Sequence, residues 1–478
     1  MTAGFNSISS NSPQTYAASW RDPSGFVVRH NGRFYRAVEW PAVPKVEALL
    51  TSEWFRASVM ERSLPATEWT TALPPFEHAE RFRWLEHETV WFPCYPHEMT
   101  AMQLSASAAL TLKLARRALE HGWLLKDASA WNVPHTLGRP IFWDILSFEP
   151  WDGQRLWPAY AQFQRHFMIP LLAHRYGGIA PSQIFLSSRE GLSPEGARPL
   201  VRGLGTLRPS TLEAIVLPKW LSRVQRPQNI TGQGQRRRPA NELSKALLSR
   251  TFSRLARQIE SLGRSPGRTS VWTDYESRRN HYTPADVELK RQFVAEALAP
   301  TTLRTVLDVG CNAGEYALAT ARQGKCVVGI DTDEGALVSL QKRAAIDRLE
   351  VQPLFVDIAR PTPAVGWRNA ETASFLCRAA GQFDAVLLLG LLHHLLVIER
   401  VTLPQVAELL ASLAGHTAIV EWVAPHDRRF EELAATNQRL YEHLTERDLY
   451  EAMSVYFCHV KTAPLAVGTR SLSTWRKL

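Results

Sequence analysis

Cysteine is scarce in this sequence of 478 residues: five thiols lie at positions 94, 311, 326, 377 and 458, with no Cys-x-x-Cys pair. That spacing argues against a zinc site or a disulfide framework. No apolar run approaches the roughly 18 residues that span a bilayer. The first 19 residues are rich in Ser and Asn, lack the basic start and apolar core of a signal peptide, and are predicted to be disordered. We therefore expect a protein of the reducing cytoplasm.

The positive charge is unevenly distributed. The chain has a formal charge of +9, and residues 221–270 hold that whole excess, with ten Arg and one Lys against two Glu. Within this segment, 225–240 is rich in Gly, Gln and Pro, whereas 241–262 shows the apolar spacing of a helix. We interpret 221–269 as an Arg-rich loop and linker helix. It is either a solvated surface or a docking site for RNA or an acidic partner.

This basic segment separates two regions, 20–220 and 270–478. A chain of this length is too long for one ordinary core, so two domains are expected. In the second region strand and helix patterns alternate, with predicted strands at 304–309, 325–330, 351–356, 383–389, 417–423, 455–462 and 471–475. Alternation of this kind predicts an α/β domain with a mostly parallel, seven-stranded sheet and an antiparallel edge.

Residues 306–314, Val-Leu-Asp-Val-Gly-Cys-Asn-Ala-Gly, form the most informative stretch. An apolar strand runs into two glycines four residues apart and a helical pattern follows, so backbone N–H groups can approach a charged ligand. The stretch lacks the Gly-x-Gly-x-x-Gly of dinucleotide folds and the Gly-Lys-Ser/Thr of a P-loop. Asp308, two positions before Gly310, instead suits a ligand that carries an ammonium group.

Acidic residues follow the next predicted strands. Asp331 ends the second strand and Asp357 the third. Ligands of open α/β sheets lie at the carboxyl ends of the strands, where one acid can accept hydrogen bonds from ribose hydroxyls and the other from an adenine amino group. His393 and His394 follow the fourth strand and Glu421 ends the fifth, so all of these residues are predicted to share one crevice.

Asp308-x-Gly310-x-x-x-Gly314 and the acids after it resemble class I S-adenosylmethionine (SAM) methyltransferases. The resemblance covers 270–478 and implies a Rossmann-like domain with SAM as its cofactor. A segment around Tyr275 and Tyr282 resembles the lid over the cofactor in related enzymes. The residues that the resemblance assigns to SAM binding are Asp308, Gly310, Cys311, Asn312, Gly314, Asp331, Asp357, Leu389, Gly390, Tyr275 and Tyr282.

The methyl acceptor is less defined by the sequence. The Asn/Asp-Pro-Pro-aromatic motif of amino-group methyltransferases and the Pro-Cys nucleophile of cytosine enzymes are both absent. His393 and His394 are similar to a pair in many small-molecule methyltransferases; one is a candidate base, or His394 packs and His393 hydrogen-bonds the backbone. Glu421 is a candidate substrate contact. We predict methylation of a hydroxyl or carboxyl group on a small molecule or glycan.

The N-terminal region contains a second constellation. A hairpin around Asn31-Gly32, a helix over 45–61, a strand near 89–92 and a long helix over 102–121 are predicted. The order Asp127-x-x-x-x-Asn132, short hairpin, Asp144 then resembles kinase-like phosphotransferases. In that family the first Asp orients the substrate hydroxyl, while the Asn and the second Asp hold Mg²⁺ beside ATP. The resemblance implies an α+β, two-lobed domain over 20–220.

Departures from the kinase pattern leave several interpretations open. A glycine-rich phosphate loop is absent, only Arg36 stands in for the usual lysine, and Lys126 replaces the usual histidine. The region is an inactive scaffold that binds substrate or a partner, an active Mg-ATP phosphotransferase coupled to methyl transfer, or a coincidental match. The whole layout resembles the bacterial family that includes the rhizobial host-specific nodulation protein NoeA, which guides the architecture alone.

Overall fold

The computed structural model describes residues 25–72, 74, 78–201, 208–216, 242–263 and 282–478, together with the backbone of 14–15. The expected disordered N-terminus, the loop at 225–240 and Tyr275 lie outside the described residues, apart from that short piece of backbone. Two compact units are present. The first comprises Met1–Pro96, Ala101–Ser265 and Ala364–Thr372, and the second His97–Thr100, Pro266–Pro363 and Ala373–Leu478.

The first unit, here called the N-terminal unit, begins with an antiparallel sheet of strand order β1-β2-β3-β5-β4. Asn31 and Gly32 both have positive φ and make the tight turn that the sequence predicts between β2 and β3. Two helices lie between β3 and β4. The bounds are β1 Gln14–Thr15, β2 Gly25–His30, β3 Arg33–Val38, α1 Val43–Thr51, α2 Glu53–Met60, β4 Thr67–Thr70 and β5 Arg83–His87.

Two local predictions in this sheet region are wrong. The helix over 45–61 is broken at Ser52, whose backbone is extended and whose hydroxyl donates to the Leu49 carbonyl at 2.6 Å. A serine hydroxyl competes in this way with the helical hydrogen bonds. The strand near 89–92 is absent, because the preceding β5 fills that place in the sheet, paired with β3 on one side and β4 on the other and burying Trp84 and Leu85.

The rest of the N-terminal unit is mainly helical. The long helix α3 and the later helix α9 pack together, with Phe252, Leu255 and Ile259 of α9 buried at helical spacing. Both begin and end within one residue of the predicted bounds. The elements are α3 Ala101–Glu120, β6 Trp123–Leu125, β7 His135–Thr136, β8 Arg139–Pro140, β9 Phe148–Pro150, α4 Tyr160–Phe163, α5 Ile169–Gly177, α6 Pro181–Ser187, α7 Pro194–Ala197, α8 Pro209–Thr211 and α9 Glu242–Gly263.

The second, C-terminal unit is built on a seven-stranded sheet of order β12-β11-β10-β13-β14-β16-β15. The first five strands in that order are parallel, and β16 pairs antiparallel with both β14 and β15. This confirms the predicted α/β fold with its antiparallel edge. The strands are β10 Thr305–Val309, β11 Cys326–Asp331, β12 Val351–Phe355, β13 Phe383–Leu388, β14 Ala414–Val423, β15 Phe457–Pro464 and β16 Arg470–Lys477.

Helices accompany this sheet along the chain, so the central strands are mainly apolar; Val306 and Leu307 of β10, for example, are fully buried. The chain order reverses beside β10, which places a crevice at its carboxyl end. The helices are α10 Pro284–Ala297, α11 Glu315–Ala321, α12 Glu334–Asp347, α13 Phe375–Ala379, α14 Leu392–Val397, α15 Leu403–Leu413, α16 Arg428–Ala434 and α17 Glu446–Met453. Among the helices in the described ranges, none combines the length and apolarity needed to cross a bilayer.

Candidate SAM site and a second acidic cluster

The turn between β10 and α11 is held in one shape by its backbone. Gly310 has a φ of +74° and donates its N–H to the Ile330 carbonyl at 2.9 Å. Gly314 has a φ of +80° and starts α11, where an added Cβ would overlap the Leu340 side chain. Asn312 between them is also left-handed. The turn therefore passes close to α12. The backbone N–H groups of 310–314, which the sequence predicted to approach a ligand, all donate hydrogen bonds within the protein instead.

Asp331 ties this turn to the end of β11. Its Oδ2 accepts the Asn312 N–H at 2.8 Å and its Oδ1 accepts the Asp333 N–H at 2.9 Å. Burial raises the pKa of Asp331, although these backbone N–H groups oppose that effect. A carboxylate oxygen has a further lone pair, so each can also accept from a hydroxyl. Asp331 thus combines a structural role with free acceptor capacity.

Asp308 lies beneath the turn, with only 2% of its surface exposed. Burial, and then the negative charge of Asp331, raise the pKa of Asp308 to about 7. Its Oδ2 has no hydrogen-bond partner among the described residues. An unsatisfied buried carboxylate oxygen beside a glycine turn is chemically suited to a cationic group, so the residues present fit a sulfonium or ammonium ligand such as SAM.

The other residues assigned to SAM by resemblance occupy different surroundings. Cys311 is buried behind the turn beside Gly329, and burial raises the pKa of its thiol, which keeps it neutral. Asp357 follows β12, where Oδ1 accepts the Ala359 N–H at 2.9 Å and Oδ2 pairs with Arg360 at 2.8 Å. Asp357 is thus next to Asp331 across the sheet but already has a cationic partner.

Leu389 and Gly390 follow β13. Leu389 is buried, whereas Gly390 has a φ of +67°. An added Cβ at Gly390 would lie 3.7 Å from the Glu421 carboxylate and 4.0 Å from the Tyr282 hydroxyl. The backbone of this turn therefore borders the residues that end β14.

A cluster of five charged or hydroxyl side chains, here called the polar cluster, surrounds Glu421. The fully buried Glu421 carboxylate accepts from the Tyr282 hydroxyl at 2.6 Å and from Lys290 Nζ at 2.7 Å. Arg470 donates to the Tyr282 hydroxyl at 2.6 Å and grips Asp427 with two hydrogen bonds of 2.8 Å. Burial of Asp427 raises its pKa, but the Arg470 guanidinium outweighs burial and lowers the pKa below its ordinary value.

The sequence identified Tyr282 and Glu421 but missed the other three members of the polar cluster. The separation in the chain explains the omission, since Tyr282 and Arg470 are 188 residues apart. The antiparallel pairing of β14 with β16, in which Val423 faces Arg470, brings them together. No local motif marks a contact of this kind.

The two histidines at the start of α14 differ. His393 is buried and its ring is stacked on Phe430, with centroids 6.5 Å apart. His394 is half-buried, and burial followed by the positive charges of Arg429 and Arg470 lowers its pKa. Its imidazole is therefore neutral at pH 7 and able to accept a proton.

The N-terminal unit brings the kinase-like residues together as well. Burial, and then the charge of Asp144, raise the pKa of Asp127, which accepts hydrogen bonds from the Ser129 N–H and the Asn132 side chain. The Oδ1 of Asp144 pairs with Arg36 of β3 at 3.1 Å. The cluster thus has four members: Asp127, Asn132, Asp144 and the single arginine Arg36.

Hydrogen bonds with surrounding residues hold that cluster in place. The Oδ2 of Asp144 accepts the Ser147 hydroxyl at 2.6 Å, and Arg36 donates through Nε to His87 Nε2 at 3.2 Å. Burial and the Arg36 charge lower the pKa of His87 to about 3, so the imidazole accepts as a neutral ring. Arg36 and Asp144 are therefore both held in place from their far sides.

The sheet order, the glycine turn and the acid at the end of β11 define a class I SAM-dependent methyltransferase, and residues 307–417 match the family model described as a methyltransferase domain. Most of this match lies in the C-terminal unit, and it confirms the methyltransferase class that the sequence predicted. Over 446 residues the chain is 29% identical to the nodulation protein NoeA of Rhizobium meliloti (strain 1021), covering 92% of each protein. The predicted resemblance to the NoeA family is thereby confirmed.

Shorter similarities concern the methyltransferase part. The ubiquinone biosynthesis O-methyltransferase of Paracidovorax citrulli (strain AAC00-1) is 32% identical over 124 residues, which are 26% of this chain and 45% of that relative. Among solved structures, the magnesium protoporphyrin IX methyltransferase of Synechocystis PCC 6803 is 18% identical, with a TM-score of 0.31, over 44% of this chain and 86% of that one.

Proposed function

We propose that the C-terminal unit methylates an oxygen atom, of a hydroxyl or carboxyl group, on a small molecule or glycan. The observation that carries this proposal is the neutral, half-buried His394 beside Arg470 of the polar cluster. Methyl transfer depends mainly on positioning, and a general base is needed only when the acceptor carries a proton. The similarity to an O-methyltransferase over 124 residues also supports an oxygen acceptor.

SAM, when bound, supplies an electrophilic methyl group. In this proposal Asp308 and the turn from Gly310 to Gly314 hold the methionine part, and Asp331 accepts from the ribose hydroxyls. Asp357 contacts the adenine edge, and the backbone of Leu389 and Gly390 accepts from the ammonium group. His394 takes the proton of a hydroxyl acceptor.

Glu421 has a positioning role in this proposal. Both of its oxygens are occupied, one by Tyr282 and the other by Lys290. The polar cluster thereby fixes Tyr282 and α10 against the end of β14, on the side of the crevice next to Gly390. None of the five cysteines, all of which the structure describes, forms a disulfide, which supports a location in the cytoplasm.

Transfer from SAM with a deuterated methyl group tests the acceptor chemistry. Small-molecule and glycan fractions of a cell extract serve as acceptors, and mass spectrometry locates the label. We expect the label on oxygen, and we expect His394→Gln to lower the rate by about 10²–10⁴-fold. The exposed His416→Gln is the matched control. Label on nitrogen, or a rate for His394→Gln equal to that of the control, would contradict the proposal.

The pH profile gives an independent readout of the base. Because the pKa of His394 is lowered from 6.5, the wild-type rate should reach its plateau below pH 7 and fall in more acidic solution. His394→Gln should lose that acidic limb. An unchanged profile in the variant would assign the proton transfer to another group.

For the N-terminal unit we propose binding of the substrate or a partner, with phosphotransfer as a second candidate. The convergence of Asp127, Asn132 and Asp144 favours the second. Asn132 and Asp144 have the oxygen donors that Mg²⁺ prefers. However, Arg36 already neutralises Asp144, and within the described ranges no three His, Cys, Asp or Glu side chains gather around a possible metal site. Asn132 and Asp144 therefore match Mg²⁺ only in the kind of ligand atom that they offer.

Binding of Mg-ATP decides between these two roles. If the unit is a phosphotransferase, Mg-ATP should raise the unfolding temperature of the full chain, and Asp144→Asn should abolish the increase. Asp152→Asn, at an exposed loop position, is the control. Absence of any shift with Mg-ATP would remove the phosphotransferase and leave the binding role.

A further inference from the structure

The N-terminal unit contains a cavity of about 380 Å³ that the proposed functions do not use. It is formed where the end of α5, the start of α8 and the last turns of α9 meet. Four arginines line it: Arg175, Arg208, Arg254 and Arg257. All four side chains are exposed, so a dissolved ligand can reach them.

Only one of these arginines has an acidic partner within the described part of the chain. Arg254 pairs with Glu213 at 2.7 Å, and that carboxylate also accepts from the Tyr160 hydroxyl at 2.6 Å and the Gln258 amide at 3.3 Å. Burial, and then Glu213, raise the pKa of Tyr160 to about 12, so the phenol remains a donor. Glu213 therefore fixes the wall of the cavity and compensates one of four positive charges.

The packing of α9 holds these arginines close together although their positive charges repel each other. Like charges on one helix face, such as Arg254 and Arg257 of α9, repel each other. The opposite face of α9 is fixed in the core by Phe252 and Leu255, so the arginines cannot rotate away without unpacking the helix. A bound anion would relieve the repulsion, because it would compensate the positive charge that Glu213 leaves uncompensated in the cavity.

We propose that this cavity binds the phosphate of a small phosphorylated ligand. A guanidinium group matches two phosphate oxygens at once, which makes arginine the usual choice for this group. A few hundred Å³ is the size of a small-molecule site. RNA binding typically uses an extended basic groove with aromatic side chains for the bases, whereas these arginines converge on one hollow. The inference goes beyond the proposed methyl transfer and the Asp144 site, because neither uses these residues.

Isothermal titration of the full chain with inorganic pyrophosphate tests the proposal. We expect saturable binding that weakens with added salt, since the charges are exposed. Arg208→Gln and Arg257→Gln should each weaken the affinity by about tenfold, the loss expected for one charge-assisted contact. Arg250→Gln is the matched control: it lies on α9, one turn before Arg254, and does not line the cavity.

Three further ligands distinguish the source of the phosphate. Tighter binding of adenosine diphosphate than of pyrophosphate would indicate a nucleotide, and tighter binding of glucose 1-phosphate a sugar phosphate. No pyrophosphate binding, or equal losses in Arg250→Gln and Arg257→Gln, would overturn the proposal. It would also fail if only a single-stranded RNA oligonucleotide bound, since that result would identify an RNA surface. The two cavity variants should bind SAM normally, which separates this test from that of methyl transfer.

Discussion

Each unit contains a pair of neighbouring aspartates that are buried or half-buried, and the two pairs differ in what balances their charge. In the N-terminal unit Asp144 pairs with Arg36 at 3.1 Å, beside Asp127. In the C-terminal unit Asp308 and Asp331 receive backbone N–H groups, and no cation of the described chain lies within hydrogen-bonding distance of either. The protein thus places a cation beside one member of the first pair, and the described chain places none beside the second.

Burying a charge costs free energy unless an opposite charge lies beside it. The pair that has an arginine therefore concerns the stability of the fold, whereas the pair that has none concerns the binding of a ligand. In the N-terminal pair Arg36 compensates Asp144, and Asp127 beside it has a raised pKa. In the C-terminal pair burial and Asp331 raise the pKa of Asp308 to about 7, so its negative charge is unfavourable. In the proposed function a sulfonium or ammonium ligand compensates the second pair, which is destabilising without it.

The largest expected effect is on the C-terminal pair. Asp331→Ala should weaken SAM binding about a thousandfold in isothermal titration, because it would remove the two hydrogen bonds to the ribose in the proposed function and releases the Asn312 N–H. Asp347→Ala, which breaks the exposed pair with Arg322, is the control and should bind normally. An affinity for Asp331→Ala within tenfold of wild type would remove Asp331 from the cofactor site.

The N-terminal pair should respond in stability. Arg36→Gln leaves the half-buried Asp144 without its cation and should lower the free energy of unfolding by about 3 kcal/mol in urea titration. Arg33→Gln, on the same strand but in an exposed pair with Glu86, should cost less than about 1 kcal/mol. Adding Asp144→Asn to Arg36→Gln should restore part of the loss. Equal effects of the two arginine substitutions would contradict the view of a self-neutralised cluster.

A third test concerns the turn that supports Asp331. Gly314→Ala combines a positive φ with overlap against Leu340, whereas Gly324→Ala has a similar φ of +78° and open space around it. We expect about 1 kcal/mol of destabilisation at Gly324 and about 2 kcal/mol more at Gly314, measured by urea unfolding. If the two variants are equally stable, the close approach of the turn to α12 is relaxed in solution.

A fourth test is a pH dependence. Because the pKa of Asp308 rises from 3.8 to about 7 on folding, the free energy of unfolding without ligand should fall as pH rises between those values. Asp308→Asn removes the buried charge and should gain at least about 1 kcal/mol at pH 8. Affinity for SAM should rise from pH 6 to pH 8 in the wild type and stay flat in the variant. A parallel rise in both would exclude Asp308 as the titrating group.

Much of the C-terminal unit was predictable from the sequence because its signals are local. The apolar strands, the glycines of the turn and the acids directly after β11 and β12 follow from hydrophobic patterning and strand–turn–helix geometry. The broken helix at Ser52 was missed, since one hydroxyl overrode a continuous helical pattern. The strand β5 was misplaced by a few residues, because pairing on both sides and not local propensity fixed its position.

By itself the sequence determined the methyltransferase class, since a glycine turn and acids at strand ends depend on short segments of chain. The tertiary structure alone decided which charges are balanced. Arg36 and Asp144, or Tyr282 and Arg470, come from distant segments, and only strand pairing and packing bring them within hydrogen-bonding distance. The same is true of the four arginines around the cavity, which three separate helices supply. Electrostatic energy depends on distance in space, and the order of residues along the chain does not specify that distance.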